Sequence, residues 1–164
     1  MKTMFILIGP PGIGKSTWIQ KNWPETPILS TDYFTEQVAK ENGVTYDDIF
    51  DEGYRHLAKE RDRRYNQRIQ QLQQLNSNFV VDRTNLTVKA RQKLMRQFPK
   101  HNPIAVLFEY DSLDNVYQNC QNRSKQIIKT VSESVFTRFI NSYTPPTLEE
   151  GFSKILTIPP FWNK

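Results

Sequence analysis

The sequence contains a single cysteine, Cys120, among its 164 residues. One thiol excludes an internal disulfide and a metal cluster built on cysteine, and it is typical of a reducing, cytoplasmic compartment, where we expect it to be inert. Long apolar runs are also lacking. The only such run near the N-terminus, Met4–Ile8, is five residues long, which is too short for a signal peptide or a membrane span. We therefore expect a soluble, intracellular protein without a membrane partner.

Internal repeats and a linker long enough to divide the chain are lacking as well, so residues 1–164 are expected to form one domain. Acidic residues are outnumbered by basic ones, which gives a net charge of +5. The basic residues are dense at Arg55–Arg68, Arg83–Lys100 and Arg123–Lys129. This charge favours a polyanionic partner such as nucleic acid, although most basic residues on helices are simply solvated.

A glycine- and proline-rich loop follows the N-terminal apolar run. It contains the pattern G-x-x-x-x-G-K-S of a phosphate-binding P-loop, followed by a helical segment, Ser16–Trp23. Its glycines let backbone N–H groups surround phosphates, and the helix start adds positive charge. Lys15 is expected to reach the β- and γ-phosphates of ATP, and Ser16 to hold Mg²⁺. The candidate ATP-binding residues are Gly9, Pro10, Pro11, Gly12, Ile13, Gly14, Lys15, Ser16 and Thr17.

Five short apolar segments separated by helical patterns predict the strands of an α/β fold. The segments are Lys2–Ile8, Pro27–Ser30, Asn78–Asp82, Ile104–Glu109 and Lys154–Ile158. Alternation of strand and helix predicts a five-stranded parallel sheet flanked by helices, with sites at the carboxyl ends of the strands. Asp32, Asp82 and the P-loop all lie at such ends.

The longest helical pattern runs from Asp51 to about Leu75 and carries Arg61 on its apolar stripe, where the side chain either points into a charged cleft or extends to solvent. Capping boxes at Thr130 with Glu133 and at Thr147 with Glu150 predict two later helix starts. The polar, basic segment Asn119–Lys129 has no dominant apolar face. We interpret residues 119–131 as a mobile helical lid over the nucleotide site.

Two aspartates are candidates for the chemistry of phosphoryl transfer. Asp32 ends a strand just before a helix and is the best candidate for the general base, and its alternative role is to cap the helix through Tyr33–Lys40. Asp82 ends the apolar strand Phe79–Val81 in the manner of a Walker B aspartate that holds Mg²⁺. Its alternative role is to cap the turn that follows.

Cations that spread charge in the transition state are expected from the lid. Arg123, Lys125 and Lys129 are available there, and Arg123 ranks first because a guanidinium matches phosphate oxygens with two hydrogen bonds. Solvated surface charge is the alternative for all three. Arg123 and Lys125 join the candidate ATP-binding residues, and the candidate catalytic residues are Asp32, Lys15 and Arg123.

Taken in chain order, these motifs resemble the kinase module of the 5'-hydroxyl polynucleotide kinases of bacteriophage and animals, a P-loop NTPase fold similar to adenylate kinase. The resemblance rests on the P-loop with Trp18, Ser30–Asp32, Asp82–Asn85, the Arg123 lid, and Pro146–Phe152 with Ile155. It implies transfer of the γ-phosphate of ATP to the 5'-hydroxyl of DNA or RNA, with Asp32 as base, and it implies Thr84 near the acceptor. The candidate acceptor-binding residues are Asp32, Arg83, Thr84 and Asn85, and the candidate metal ligands are Ser16 and Asp82.

The chain departs from this family at several positions. Thr35 stands where the bacteriophage enzyme has an arginine that binds the phosphate of the acceptor, so a preference for a 3'-phosphate does not carry over. Lys125 and Gln126 stand where relatives have a second arginine. The phosphatase domain of many relatives is lacking, which leaves that reaction, or ligation, to a separate partner.

Two other functions remain open at this point. A small-molecule kinase acting on a sugar, nucleoside or metabolite has the same P-loop requirements. A nucleotide-binding module without catalysis is the other, and the presence of a carboxylate at Asp32 argues against it. The sequence leaves the oligomeric state open.

Overall fold

The computed structural model describes residues 1–124 and 131–160. Its centre is a parallel sheet of five strands in the order β2-β3-β1-β4-β5. The strands are Lys2–Ile8 (β1), Ile28–Leu29 (β2), Phe79–Val81 (β3), His101–Phe108 (β4) and Lys154–Ile158 (β5). The predicted α/β fold with a five-stranded parallel sheet is therefore confirmed.

Helices connect the strands and cover both faces of the sheet. They are Lys15–Asn22 (α1), Thr31–Asn42 (α2), Arg55–Gln74 (α3), Val88–Gln97 (α4), Leu113–Ser124 (α5) and Glu133–Asn141 (α6), and single 3₁₀ turns lie at Asp47–Phe50, Glu52–Tyr54 and Leu148–Glu150. Among the described residues, no helix combines the length and the apolar character that crossing a bilayer requires.

Strand β1 shows how the sequence builds the two cores. Met4, Ile6 and Ile8 alternate onto one face, where they pack with side chains of α3 and α4, whereas Leu7 points to the other face, which α1, α5 and α6 cover. All four side chains are fully buried. A continuous apolar run is what a strand covered on both faces requires.

Two predicted boundaries differ from the structure by three or more residues. Strand β4 begins at His101 and not at Ile104, because β1 already pairs with residues 101–103, whereas β5 pairs only from Ile104 onwards. Pro103 therefore lies where the ladder has one neighbour and its missing N–H is tolerated. Helix α3 begins at Arg55 and not at Asp51, because the residues before it form 3₁₀ turns around Gly53.

The predicted helix starts are confirmed in part. Thr147 and Glu150 form the expected capping box on a 3₁₀ turn. Thr130 lies outside the described residues, and the N-cap of α6 is Ser132, whose hydroxyl accepts a hydrogen bond from the Val135 N–H.

Residues 119–124 of the predicted lid belong to helix α5, and the lid itself stays a prediction. Residues up to Ser124 continue α5, because Val116 and Cys120 give this helix a buried face. Lys125 and Lys129 lie outside the described residues.

Candidate phosphoryl-transfer site

The P-loop joins β1 to α1 at the carboxyl edge of the sheet. Gly12 and Gly14 have φ values of 79° and 94°, which a glycine adopts without strain. The Lys15 side chain is buried beneath the loop, and its ammonium donates to the carbonyl oxygens of Gly9 and Pro10, both at 2.9 Å. The loop is thus closed around its own lysine, and the N–H groups at the start of α1, which have no intrahelical acceptor, suit an anion.

Helix α5 crosses directly over this loop. A Cβ added to Gly12 would lie 2.8 Å from Cys120 Cβ and 2.9 Å from Cys120 N, so that only glycine fits there. The buried Cys120 thereby sets the distance between helix and loop. Arg123 is exposed and lies three residues further along α5, which at helical spacing puts it on the face that carries Cys120.

The two candidate metal ligands are in contact. The Ser16 hydroxyl donates to Asp82 Oδ2 at 2.9 Å, which joins the start of α1 to the end of β3. A hydroxyl and a carboxylate oxygen at one point are the kind of ligand that Mg²⁺ takes beside ATP. This donor set fits the ion, and the contact favours the metal-binding interpretation of Asp82 over the turn cap.

The segment after β3 joins the ends of β1, β2 and β3 through two backbone hydrogen bonds and one hydrogen bond from the Asn85 side chain. The Asp82 N–H donates to Leu29 O at 3.0 Å, and the Gly9 N–H donates to Thr84 O at 3.1 Å. Asn85 adopts a φ of 49°, and its buried amide nitrogen donates to Leu7 O at 2.7 Å. We therefore assign Asn85 a positioning role in place of the predicted contact with the acceptor.

Arg91, on α4, holds this segment through a hydrogen bond and a buried ion pair. It is fully buried, and its guanidinium donates to both carboxylate oxygens of Glu150 at 2.7 and 2.8 Å and to Asn85 O at 3.0 Å. Burial opposes ionisation of Glu150, but the hydrogen bonds from Arg91 and from the Thr147 N–H outweigh it, so the pKa of Glu150 is below its ordinary value. The ion pair connects the C-terminal capping box to the phosphate-loop region.

Asp32 is not the cap of its helix. The N-cap of α2 is Ser30, whose hydroxyl accepts a hydrogen bond from the Tyr33 N–H at 3.3 Å. Asp32 lies in the first turn, exposed, and its Oδ1 accepts a hydrogen bond from the Tyr46 hydroxyl at 2.7 Å. Ser30, and not Asp32, therefore has the capping role that was the alternative to general-base catalysis.

Tyr46 is a site residue that the sequence reasoning missed, because nothing in the polar segment between α2 and α3 singles it out. Burial and the neighbouring Asp32 carboxylate raise the pKa of Tyr46 above its ordinary value. The phenol therefore remains a neutral donor and fixes one oxygen of Asp32.

We expect the Tyr46→Phe variant to lower kcat by about 10- to 150-fold, because a hydrogen bond to a charged group contributes about 1.5–3 kcal/mol. The acid limb of the pH–rate profile should move to higher pH, because the carboxylate loses a donor that favours its charged form. Steady-state kinetics from pH 5 to 9 measure both changes. A variant with the wild-type profile would contradict this positioning role.

Arg83 and Thr35 are two further positions that the sequence analysis singled out. Arg83 is exposed and lies over the Tyr65 ring, 5.8 Å from its centre, with a 3.3 Å hydrogen bond to the Tyr65 hydroxyl. Thr35 is fully buried, and its hydroxyl donates to Thr31 O. Thr35 is therefore unable to contact the phosphate of an acceptor, consistent with the departure noted in the sequence.

A profile of the AAA domain family matches residues 4–146 of the chain. No curated protein shows significant sequence similarity to it.

Solved structures share the fold at low sequence identity. A candidate kinase of Chloroflexus aurantiacus is 18% identical, with a TM-score of 0.66 over 99% of this chain and 87% of the other. A gluconokinase of Sinorhizobium meliloti is 15% identical, with a TM-score of 0.56 over 96% and 82%. The Pnkp1/Rnl/Hen1 RNA repair complex contains a chain that is 17% identical, with a TM-score of 0.67 over 86% of this chain and 43% of that one. These likenesses establish a P-loop kinase-like fold.

Proposed function

Because the chain belongs to the AAA domain family, whose profile spans residues 4–146, and has a P-loop kinase-like fold, we propose that it transfers the γ-phosphate of ATP to the 5'-hydroxyl of a DNA or RNA end. The fold implies nucleotide binding, and the finer assignment of the acceptor is the proposal. It draws on the motif order that resembles polynucleotide kinases and on the likeness to a chain of an RNA repair complex.

In this proposal the P-loop and Lys15 bind the phosphates of ATP, and Ser16 and Asp82 hold Mg²⁺. The ion would neutralise charge on the β- and γ-phosphate oxygens. Asp32 takes the proton of the 5'-hydroxyl while that oxygen bonds to the γ-phosphorus and the bond to the β–γ bridging oxygen breaks, so that ADP leaves. Arg123, three residues beyond the Cys120 that contacts Gly12, is the candidate cation that would stabilise the negative charge developing on the transferring group.

The observation that carries the proposal is the setting of Asp32. Ser30, and not Asp32, caps α2, and the Tyr46 hydroxyl donates a hydrogen bond to the Asp32 carboxylate. This carboxylate is exposed beside Tyr33 and Phe50, which are 58% and 60% exposed. Among residues 1–124 and 131–160, the side chains around Asp32 leave this part of the site open to solvent. An open edge with aromatic side chains suits an acceptor that continues beyond its reacting hydroxyl, whereas a small metabolite is normally enclosed.

Salt dependence separates a polynucleotide from a small acceptor. Single-stranded acceptors contacted at three phosphates should show a KM that rises about 20-fold between 50 and 200 mM salt. A dinucleotide assayed beside a ten-nucleotide acceptor is the matched control, and its KM should rise much less. A KM that depends on neither salt nor acceptor length would contradict the proposal and favour a small-molecule kinase, the activity that the gluconokinase neighbour carries.

A further inference from the structure

One exposed aromatic ring near Asp32 is held in place by a cation. Phe50 ends the first of the two 3₁₀ turns before α3 and is 60% exposed, although burying a phenylalanine side chain typically stabilises a fold. The Arg61 guanidinium lies over this ring, 5.4 Å from its centre. Arg61 is itself fixed by Asp62, whose Oδ1 accepts from Nε at 2.9 Å and lies 2.8 Å from the second guanidinium nitrogen.

This ring is connected to the candidate general base by direct contacts. Phe50 packs against Tyr46 with their ring centres 5.4 Å apart, and the Tyr46 hydroxyl is hydrogen-bonded to Asp32. Only the Phe50 and Tyr46 side chains would thus separate a group stacked on Phe50 from the Asp32 carboxylate that would take the proton. Arg61, which the sequence left between a charged cleft and solvent, lies instead against the Phe50 ring and still leaves that residue 60% exposed.

We propose that Phe50, with Arg61 over its ring, is a stacking platform for a nucleobase within the first two nucleotides of the acceptor end. The inference rests on the proposed function and specifies how that acceptor is held. Aromatic rings and guanidinium groups are the surfaces on which unpaired bases stack, and such stacking is independent of sequence because every base has a π-face. The platform therefore predicts preference for an unpaired end and little preference for its sequence.

The test compares 5'-hydroxyl oligonucleotides that carry all their bases with matched ones that are abasic at the first or at the second nucleotide. Wild-type protein should have the lower KM for the complete acceptor. The Phe50→Ala variant should raise that KM by about 5- to 150-fold, the range that alanine substitution at stacked bases produces. Its kcat should change little, and it should no longer distinguish complete from abasic acceptors.

Two variants serve as controls. Phe50→Tyr keeps the ring and should keep the wild-type KM. Leu148→Ala removes an apolar side chain of similar exposure, 57%, outside this surface, and should leave the KM unchanged.

The outcomes separate the platform from the function on which it rests. An unchanged acceptor KM in Phe50→Ala, while wild-type protein labels oligonucleotides, would overturn the platform alone. A fall in kcat at constant KM would also overturn it, because Phe50 would then act through Tyr46 on the base. Absence of oligonucleotide labelling by wild-type protein would overturn the proposed function and the platform together.

Discussion

The Asp32→Asn variant is expected to lose turnover by about 10²–10⁴-fold while it binds ATP nearly as well as wild-type protein. The reason is that asparagine keeps the shape of the side chain and an oxygen for the Tyr46 hydroxyl, but it is unable to take a proton from the acceptor. Initial rates at saturating ATP and acceptor measure the loss, and titration calorimetry measures ATP affinity.

Glu36→Gln is the matched control for this experiment. Glu36 is an exposed carboxylate one helical turn beyond Asp32 on α2, so its substitution removes the same charge from the same helix without touching the candidate base. Its kcat should stay close to the wild-type value. A wild-type kcat in Asp32→Asn would rule out the general-base role. Equal losses of kcat in both variants would mean that the loss of negative charge from α2 alone is responsible.

The second large effect is on stability. Glu150→Gln should lower the free energy of unfolding by about 3–5 kcal/mol, because it leaves the guanidinium of Arg91 buried without its counter-charge. The pair is 0% and 5% exposed, so water does not replace the lost partner. Chemical denaturation at pH 7 measures the change.

Two further variants make this result specific. Glu149→Gln alters the exposed neighbour of Glu150, which has no ion pair with Arg91, and should remain close to wild type in stability. The double variant Arg91→Met/Glu150→Gln removes the buried charge as well and should recover part of the loss. A Glu150→Gln protein as stable as Glu149→Gln would contradict the role assigned to the pair.

Local sequence patterns predict those parts of the fold in which a single strand or loop requires particular residue types. The apolar run Met4–Ile8 and the glycine loop after it predict β1, the P-loop and the parallel sheet, because burial on both faces and phosphate binding each require particular residue types. The short β2, Ile28–Leu29, was predicted in position but not in length, since the pairing with β3 determines where it ends.

Roles that depend on contacts between distant residues were not predictable. Arg91 belongs to a helix rich in basic residues, and nothing local distinguishes it from the exposed Lys89 and Lys93, yet it is buried against a glutamate 59 positions away. Tyr46 is likewise defined by Asp32 across a turn. Cys120, expected to be inert, sets the approach of α5 to Gly12, which only the folded chain reveals.

Transfer of labelled phosphate shows which kind of acceptor the protein uses. Wild-type protein with γ-labelled ATP and Mg²⁺ is incubated with DNA and RNA oligonucleotides that carry either a 5'-hydroxyl or a 5'-phosphate, and with small hydroxyl compounds including gluconate. We expect label in the 5'-hydroxyl oligonucleotides and none in their 5'-phosphorylated counterparts. Label in a small compound with none in any oligonucleotide would rule out a polynucleotide acceptor.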